Sequence, residues 1–119
     1  MAARSLRSRV LLHVSKARRV ALDPHSVYYL EADGGDTVVR SRGRRTRRDL
    51  RPLQNVAALF EPHGFYRVHD KWSVNVQRIR EMRLQRDGVD WEVVIHPPVN
   101  RVIPVSRSRL RGLLRLFGE

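Results

Sequence analysis

The segment 65–75 has the sequence FYRVHDKWSVN, and the segment 103–107 has the sequence IPVSR. In both segments, apolar runs rich in β-branched and aromatic residues end in polar or cationic side chains. Such runs are typical of short β-strands, so both segments predict strands with charged groups at their ends. The chain that contains them has a formal net charge of +12. Together these features predict a small β-rich module that binds a polyanion.

Length and composition limit the class of protein. The 119 residues are enough for one compact domain with its own core. The chain has no cysteine, which excludes disulfides and thiolate metal sites and fits a reducing compartment. No apolar run approaches the length of a membrane span, and the N-terminus lacks the apolar centre of a signal peptide. We therefore expect a cytoplasmic protein that has no membrane partner.

Arginine supplies nearly all of the positive charge, since Lys16 and Lys71 are the only lysines. GC-rich coding would explain the use of arginine in place of lysine, but it would not explain the excess of cations over acids. Guanidinium groups bind phosphate with two parallel hydrogen bonds and also read guanine edges. The charge therefore indicates nucleic acid as the partner.

Turn signals divide most of the chain into short strands. The sequence Asp33-Gly34-Gly35-Asp36 and the pair Asp87-Gly88 are strong hairpin signals, because glycine accepts a positive φ. Lys16-Ala17-Arg18 suits another hairpin turn, and Asp23-Pro24 breaks the pattern. The strands predicted around these turns are 10–14 and 20–22, 27–32 and 37–40, 65–68 and 72–76, 79–84 and 91–95, and 102–105.

Two segments have the apolar spacing of a helix. After Pro52, which suits a first turn, apolar residues recur at i, i+3, i+4 and i+7 until the sequence 62–64 ends the pattern. Near the C-terminus, Ser106 is the expected N-cap, with a hydroxyl that accepts from a free amide, and Gly118 is placed to close the helix. The apolar positions are Leu53, Val56, Ala57 and Phe60 in the first helix, and Leu110, Leu113, Leu114 and Phe117 in the second.

The densest positive charge lies within 40–51, around an expected turn at Gly43. Two interpretations of this stretch stay open, a solvated face and a rim that contacts phosphates. The second interpretation makes Arg44 and Arg45 candidate phosphate contacts, because the stretch adjoins predicted strands and does not form a tail. Residues 1–7 are interpreted as a separate basic arm.

The order of these segments resembles the LytTR DNA-binding domains of bacterial transcription regulators. The resemblance rests on YLEA at 29–32, the helix over 53–60, and the segments 65–75 and 103–107, and it covers residues 8–117. It implies a mainly β fold of small antiparallel sheets with one or two short helices. Members of this family insert loops and strand ends into DNA, and they use no recognition helix.

The resemblance also implies a function, that of a transcription regulator which binds promoter direct repeats in double-stranded DNA. The implied partners are a second protomer on tandem repeats and an upstream receiver or sensor protein of a two-component system. The family has three contact regions. They correspond here to the first hairpin, 33–37, with Asp36 and Thr37 as its candidate residues, to His69, Asp70 and Lys71 after the Arg-Val-His block, and to Ser106 and Arg107 at the last helix. The charge pattern adds Arg67 and Arg109, together with Arg44 and Arg45.

Two positions depart from the family pattern. The first hairpin carries Gly34-Gly35 where many relatives carry bulkier polar residues, so Asp36 and Thr37 are expected to approach only the DNA backbone. Asp70 is acidic, and an acid beside phosphates is unfavourable unless it accepts from cytosine or orients a neighbour. We therefore expect Asp70 to orient Lys71 or His69, or to read one base.

For several side chains, a structural role within the protein is the alternative to a contact with DNA. Arg107 is expected to contact DNA at the first turn of a helix, where exposed amides favour phosphate, but it could instead pair with Glu92 or another acid. Arg67 could face a phosphate or an internal acid such as Glu31. His69 could be a histidine at a strand end with no further role. Asn75 is expected to hold a turn, and both tryptophans, Trp72 and Trp91, are expected to pack in or near the core.

Other classes of function are less consistent with the sequence. No nucleophile elbow, phosphate-binding loop or helical pair of metal ligands is present, so we expect neither an enzyme nor a bound cofactor or metal. The alternative that stays open is a general RNA- or ribosome-binding β module, which would use exposed aromatic residues on a sheet. A protein-interaction module whose charge is incidental is the third interpretation.

Overall fold

Ten strands form three antiparallel sheets in the computed structural model, which describes residues 8–43 and 46–119. The central sheet has five strands in the order β5-β4-β3-β7-β6, and the other two sheets are β1-β2 and β10-β9-β8. The strands are β1 (Val10–Ser15), β2 (Arg18–Leu22), β3 (Val27–Asp33), β4 (Asp36–Ser41), β5 (Thr46–Asp49), β6 (Phe65–His69), β7 (Trp72–Asn75), β8 (Ile79–Leu84), β9 (Trp91–Ile95) and β10 (Val102–Val105).

Two α-helices accompany the sheets, α1 (Leu53–Phe60) and α2 (Arg107–Leu116). Helix α1 buries Leu53, Val56 and Phe60, as its apolar spacing predicted. Helix α2 buries Leu113, but the expected apolar stripe ends early because Phe117 is exposed beyond the last turn. Short 3₁₀ turns occupy Pro24–Ser26, Glu61–His63 and Val76–Arg78.

The central sheet separates two hydrophobic cores. On one face, Leu30 and Val39 pack with β1 and with the buried face of α1. On the other face, Tyr29, Trp72 and Val74 pack with the three-stranded sheet and with Leu113 of α2. Alternation along β3 supplies side chains to both cores, and the bulge between Val27 and Tyr29 lets the adjacent Tyr28 and Tyr29 pack in the same core. The outcome is a layered arrangement in which α1 and α2 cover opposite faces of one sheet.

The prediction of a mainly β fold with two short helices is confirmed. Asn75 holds a turn as expected, since its Nδ2 donates to the Val27 carbonyl (3.0 Å) and its Oδ1 accepts from the Gln77 amide (3.1 Å). Trp72 is buried and packs edge-on against Tyr29, with ring centroids 5.5 Å apart, and Trp91 packs at the margin of the same core. In the described parts of the chain, no helix is both long and apolar enough to cross a membrane.

Strand β5 was not predicted. Its sequence, Thr46-Arg47-Arg48-Asp49, has no apolar residue, so it lacks the alternation that marks a strand. Backbone pairing with β4 nevertheless places it at the edge of the central sheet, with Val38 opposite Arg48. Charged side chains are a usual feature of edge strands, because they discourage pairing with other chains.

Candidate nucleic-acid interface

The topology of the central sheet brings two turns to the same edge. Strand β3 ends at Asp33 and β4 begins at Asp36, while β7 begins at Trp72, opposite Glu31 of β3. The Ala32 amide donates to the Lys71 carbonyl over 2.9 Å, which ties the β3–β4 turn to the β6–β7 turn. Two of the three predicted contact regions are therefore neighbours.

A bulge in β6 attaches the third region. Arg67 pairs with Ser73 and His69 pairs with Trp72, so the intervening Val68 has no partner residue in β7. Its carbonyl accepts instead from the Ser106 amide, at 2.8 Å. A bulged residue falls outside the regular pairing of its strand, which makes such a bond available. The first turn of α2 is thereby fixed beside the β6–β7 turn.

Close packing of α2 on β6 fixes the rest of the helix. The Tyr66 hydroxyl donates to the Arg109 carbonyl, at 2.8 Å. A Cβ atom at Gly112 would lie 2.2 Å from that hydroxyl, so only glycine allows this approach. Together with the Ser106 amide, this contact makes α2 a rigid support for the side chains of its first turn.

We use the name loop edge for residues 33–36, 69–71, 85–90 and 106–109. The last two segments are joined by Arg107, whose Nε donates to Oδ1 of Asp90 at 2.6 Å. Asp90 ends the β8–β9 loop, and Val105, which precedes α2, pairs with Trp91 at the start of β9. The loop edge therefore runs continuously from the β3–β4 turn to the β8–β9 loop.

The β6–β7 turn presents a cation and an imidazole. Lys71 is exposed, and His69 is half-buried with its Nδ1 accepting from the Lys71 amide at 3.1 Å. A neutral histidine that accepts through Nδ1 carries its proton on Nε2, so its outer nitrogen is a hydrogen-bond donor. This turn can thus offer two donors to a polyanion.

Arg67 and Arg109 form a second concentration of positive charge. Burial lowers the pKa of Arg67, and the charge of nearby Arg109 lowers it further. Both line a groove of about 270 Å³ between α1 and α2, together with Gln54, Tyr66 and Ser73. Among the described residues, the buried Nε of Arg67 has no hydrogen-bond partner. Two neighbouring guanidinium groups with spare donors are suited to an anion.

Arg67 and Asp70 do not contact the protein side chains that were considered as their partners. Arg67 donates to the backbone carbonyl of Asp70 and not to Glu31, which lies 3.9 Å from Nη2 of Arg101. The carboxylate of Asp70 faces neither Lys71 nor His69, and its nearest cation is Nη2 of Arg109 at 3.8 Å. Sequence spacing could not reveal this, because Arg109 lies on a different element.

The first hairpin presents acids and a buried threonine. Asp36 and Asp33 both pair with Arg48 of β5. The Thr37 side chain is fully buried, and its hydroxyl donates to the Arg51 carbonyl at 2.9 Å, so it is not accessible to a ligand in this structure. Ser106 occupies the N-cap position of α2, but its hydroxyl forms no capping hydrogen bond with the described residues, contrary to expectation.

Some candidates are not described, and others were missed. Arg44, Arg45 and the arm 1–7 lie outside the described residues. Sequence reasoning missed Asp90, whose partner Arg107 lies in α2, and Arg48, whose partners Asp33 and Asp36 lie in β3 and β4. It also missed Arg101, whose Cζ lies 4.9 Å from the ring centroid of Trp72. Nothing local in the sequence marks these three residues, because each acts through a contact between elements distant in the chain.

Comparisons with known proteins agree with this architecture. A family model described as the LytTr DNA-binding domain matches residues 17–118. A solved chain described as the LytTr DNA-binding domain of a response regulator from Bacillus cereus has a TM-score of 0.74 and 24% sequence identity. The match covers 94% of this chain and 98% of that chain. No curated protein matches.

Proposed function

The chain belongs to the LytTR family of DNA-binding domains, and we propose that its loop edge binds specific sequences in double-stranded DNA. The observation that carries this proposal is the contact series from the β3–β4 turn through Lys71 and Ser106 to Arg107, which aligns cationic side chains on one edge. LytTR domains are DNA-binding domains and not catalytic ones, and they occur in response regulators.

We assign two roles to the cationic side chains of the loop edge and to Arg67, which lies beside it in β6. Arg67 and Arg109 bind a backbone phosphate from the groove that they line, and the exposed Lys71 binds another. Arg107, exposed over 76% of its side chain, reads a guanine edge, and His69 donates to a base or a phosphate. Thr37 is left out of this interface because it is buried. Arg44 and Arg45 are retained as phosphate contacts on the ground of charge alone.

The wider biological setting is also part of the proposal. We infer that residues 8–117 form the DNA-binding domain of a transcription regulator that acts in the cytoplasm on promoter direct repeats. Two protomers would then occupy one duplex, under the control of a receiver or sensor protein. A sedimentation experiment with duplexes that carry one or two repeats tests the pairing. We expect a monomer in free solution and two protomers on the longer duplex, whereas a stable free dimer would contradict it.

The burial of aromatic residues favours duplex DNA over RNA. Modules that bind single-stranded RNA through a sheet stack bases on exposed aromatic side chains. Here Tyr28, Tyr29 and Trp72 are buried in the core between the central sheet and α2. The described part of the central sheet therefore offers no such row of rings.

A binding assay tests the proposal. Duplexes are first enriched from a randomised library with the wild-type protein, and affinities for enriched duplex, random duplex and single-stranded RNA are then measured over a salt series. With about six phosphates contacted, the logarithm of the association constant should fall linearly with the logarithm of the salt concentration, with a slope of about −5. The enriched duplex should exceed random duplex by about 10³. Equal affinity for RNA and random duplex would contradict the proposal.

Matched variants of one helix locate the contact. Arg107 and Arg115 are both exposed arginines of α2, and eight residues of helix separate them by about 12 Å. We expect Arg107→Ala to reduce the preference for the enriched duplex, while Arg115→Ala leaves that preference unchanged. Equal losses in both variants would mean that α2 contributes only general charge.

A further inference from the structure

Asp90 holds Arg107 from a fixed position. The Asp90 amide donates to Oδ1 of Asp87 at 3.0 Å, and the Asp90 carbonyl accepts from the Gln85 amide at 2.7 Å. The next residue, Trp91, is paired on both sides, with Leu84 and with Val105. The carboxylate of Asp90 is therefore attached to backbone that is anchored from three directions.

The ion pair uses one side of the guanidinium group. Nε of Arg107 donates to Oδ1 of Asp90 at 2.6 Å, and Nη2 lies 3.4 Å from Oδ2. A guanidinium group has five N–H donors, and a second fork is formed by Nη1 and Nη2 at its end. Since the Arg107 side chain is 76% exposed, this terminal fork is accessible to solvent. The geometry of the fork matches the O6 and N7 acceptors of guanine.

We propose that Asp90 is a specificity-determining residue that positions Arg107 for base reading. The inference rests on the proposed function, in which Arg107 reads a guanine. An unrestrained arginine side chain has many rotamers and can turn toward any nearby phosphate. The carboxylate of Asp90 restricts those rotamers and repels phosphates from the same place. Asp90 thus reduces binding to random duplex while it preserves the one contact that distinguishes sequences.

Glu92 is an acid close to Asp90 in the sequence, but it pairs with a different arginine. Glu92 lies two residues further along β9 and pairs with Arg83 of β8, Nε to Oε2 at 2.7 Å. That pair lies within the three-stranded sheet and outside the loop edge. Glu92→Gln therefore removes the same charge from a neighbouring ion pair without releasing Arg107, which makes it the matched control for Asp90→Asn.

The test compares two affinities for each variant, for the enriched duplex and for random duplex at one salt concentration. Because a good bidentate contact to guanine discriminates by one to two orders of magnitude, we expect Asp90→Asn to lower the ratio of these affinities by about tenfold. Glu92→Gln should leave the ratio unchanged. In an Arg107→Ala background, Asp90→Asn should have no further effect on the ratio.

Relaxation of the Arg107 Nε–Hε group by ¹⁵N NMR gives a second measure that does not depend on DNA. We expect larger-amplitude motion of this group in Asp90→Asn than in the wild type or Glu92→Gln. An unchanged ratio in Asp90→Asn, or an equal fall in the Arg107→Ala background, would overturn the inference. If the wild type enriches no sequence at all, the proposed function itself fails, and the relaxation result still reports whether Asp90 restrains Arg107.

Discussion

Two aspartate–arginine pairs in this molecule have the same chemistry and opposite surroundings. Asp49 is fully buried and accepts from Nε and Nη2 of Arg51 at 3.0 and 2.8 Å, and also from the His13 amide at 2.9 Å. Asp90 and Arg107 form their pair on the loop edge, where 76% of the arginine side chain is exposed. Further bonds to the His13 amide and the Leu11 carbonyl make the first pair a link between β5 and β1. The second pair links the β8–β9 loop to α2, beside the backbone pairing of Trp91 with Val105.

The difference shows that burial decides what an ion pair does. Removing one partner of a buried pair leaves the other charge without compensation, and this is costly. An exposed pair contributes little to stability because water and salt replace it. The Asp49–Arg51 pair therefore belongs to the fold, while the Asp90–Arg107 pair is available for recognition of a ligand.

The largest expected effect follows from breaking the buried pair. Asp49→Ala should lower the free energy of unfolding by about 3 kcal/mol, because Arg51 and the His13 amide lose their acceptor. Asp90→Ala removes the same charge and should leave the unfolding midpoint nearly unchanged. Urea denaturation followed by circular dichroism measures both. Equal destabilisation in the two variants would mean that burial does not distinguish the pairs.

A smaller loss of stability is expected when the packing of α2, which carries Arg107, against β6 is disturbed. Gly112→Ala places a Cβ against the Tyr66 hydroxyl, and overpacking of this kind costs about 2 kcal/mol. Because α2 carries Arg107, the variant should also lose preference for the enriched duplex. Gly35→Ala is the control for stability alone, since a Cβ there meets nothing within 4 Å. Normal stability of Gly112→Ala would contradict the close packing of α2 on β6.

The buried pair should also respond to acid. Burial alone raises the pKa of Asp49, but hydrogen bonds from Arg51 and from the His13 amide outweigh it and hold the pKa below its ordinary value of 3.8. A depressed pKa in the folded state stabilises the protein fully above the unfolded pKa, and this stabilisation is lost as the pH falls through the folded pKa.

Asp49→Asn removes this titration. The difference in free energy of unfolding between the wild type and Asp49→Asn should therefore be constant at neutral pH and shrink as the pH falls below 3.8. Denaturation at several pH values measures it. A difference that stays constant down to low pH would mean that folding does not lower the pKa of Asp49.

The smallest expected effect is that of Asp90→Asn on stability. The backbone hydrogen bonds of the β8–β9 loop remain in this variant, since Asp87 and Gln85 form them with the Asp90 amide and carbonyl. Thermal unfolding should therefore be close to that of the wild type. A large fall in midpoint would make Asp90 part of the fold and would remove the contrast with Asp49.

Most of the fold could be predicted from local patterns. Alternating apolar residues and the turns at Gly34-Gly35 and Gly88 indicated most of the strands, and the spacing of Leu53, Val56 and Phe60 indicated α1. Strand β5 could not be predicted, because its position depends on pairing with β4 and its side chains have no apolar alternation. Local sequence cannot report a partner strand.

The candidate site was less accessible to sequence reasoning. The nearness of Lys71 to Ser106 depends on the bulge at Val68. The sequence left the acid that could pair with Arg107 open, as Glu92 or another acid, and in the structure it is Asp90. The burial of Thr37 also depends on a contact with Arg51, fourteen residues away. Cationic residue types suggested a polyanion site, but side-chain pairing across elements determines which of these residues face a ligand.

The most direct test of the central claim is amide chemical-shift mapping with ¹⁵N-labelled protein and the enriched duplex. We predict that the largest shifts occur in the loop edge, at residues 33–36, 69–71, 85–90 and 106–109, with the β1–β2 hairpin little changed. Largest shifts in α1 and β1–β2, with the loop edge unaffected, would contradict the proposal that this edge binds DNA.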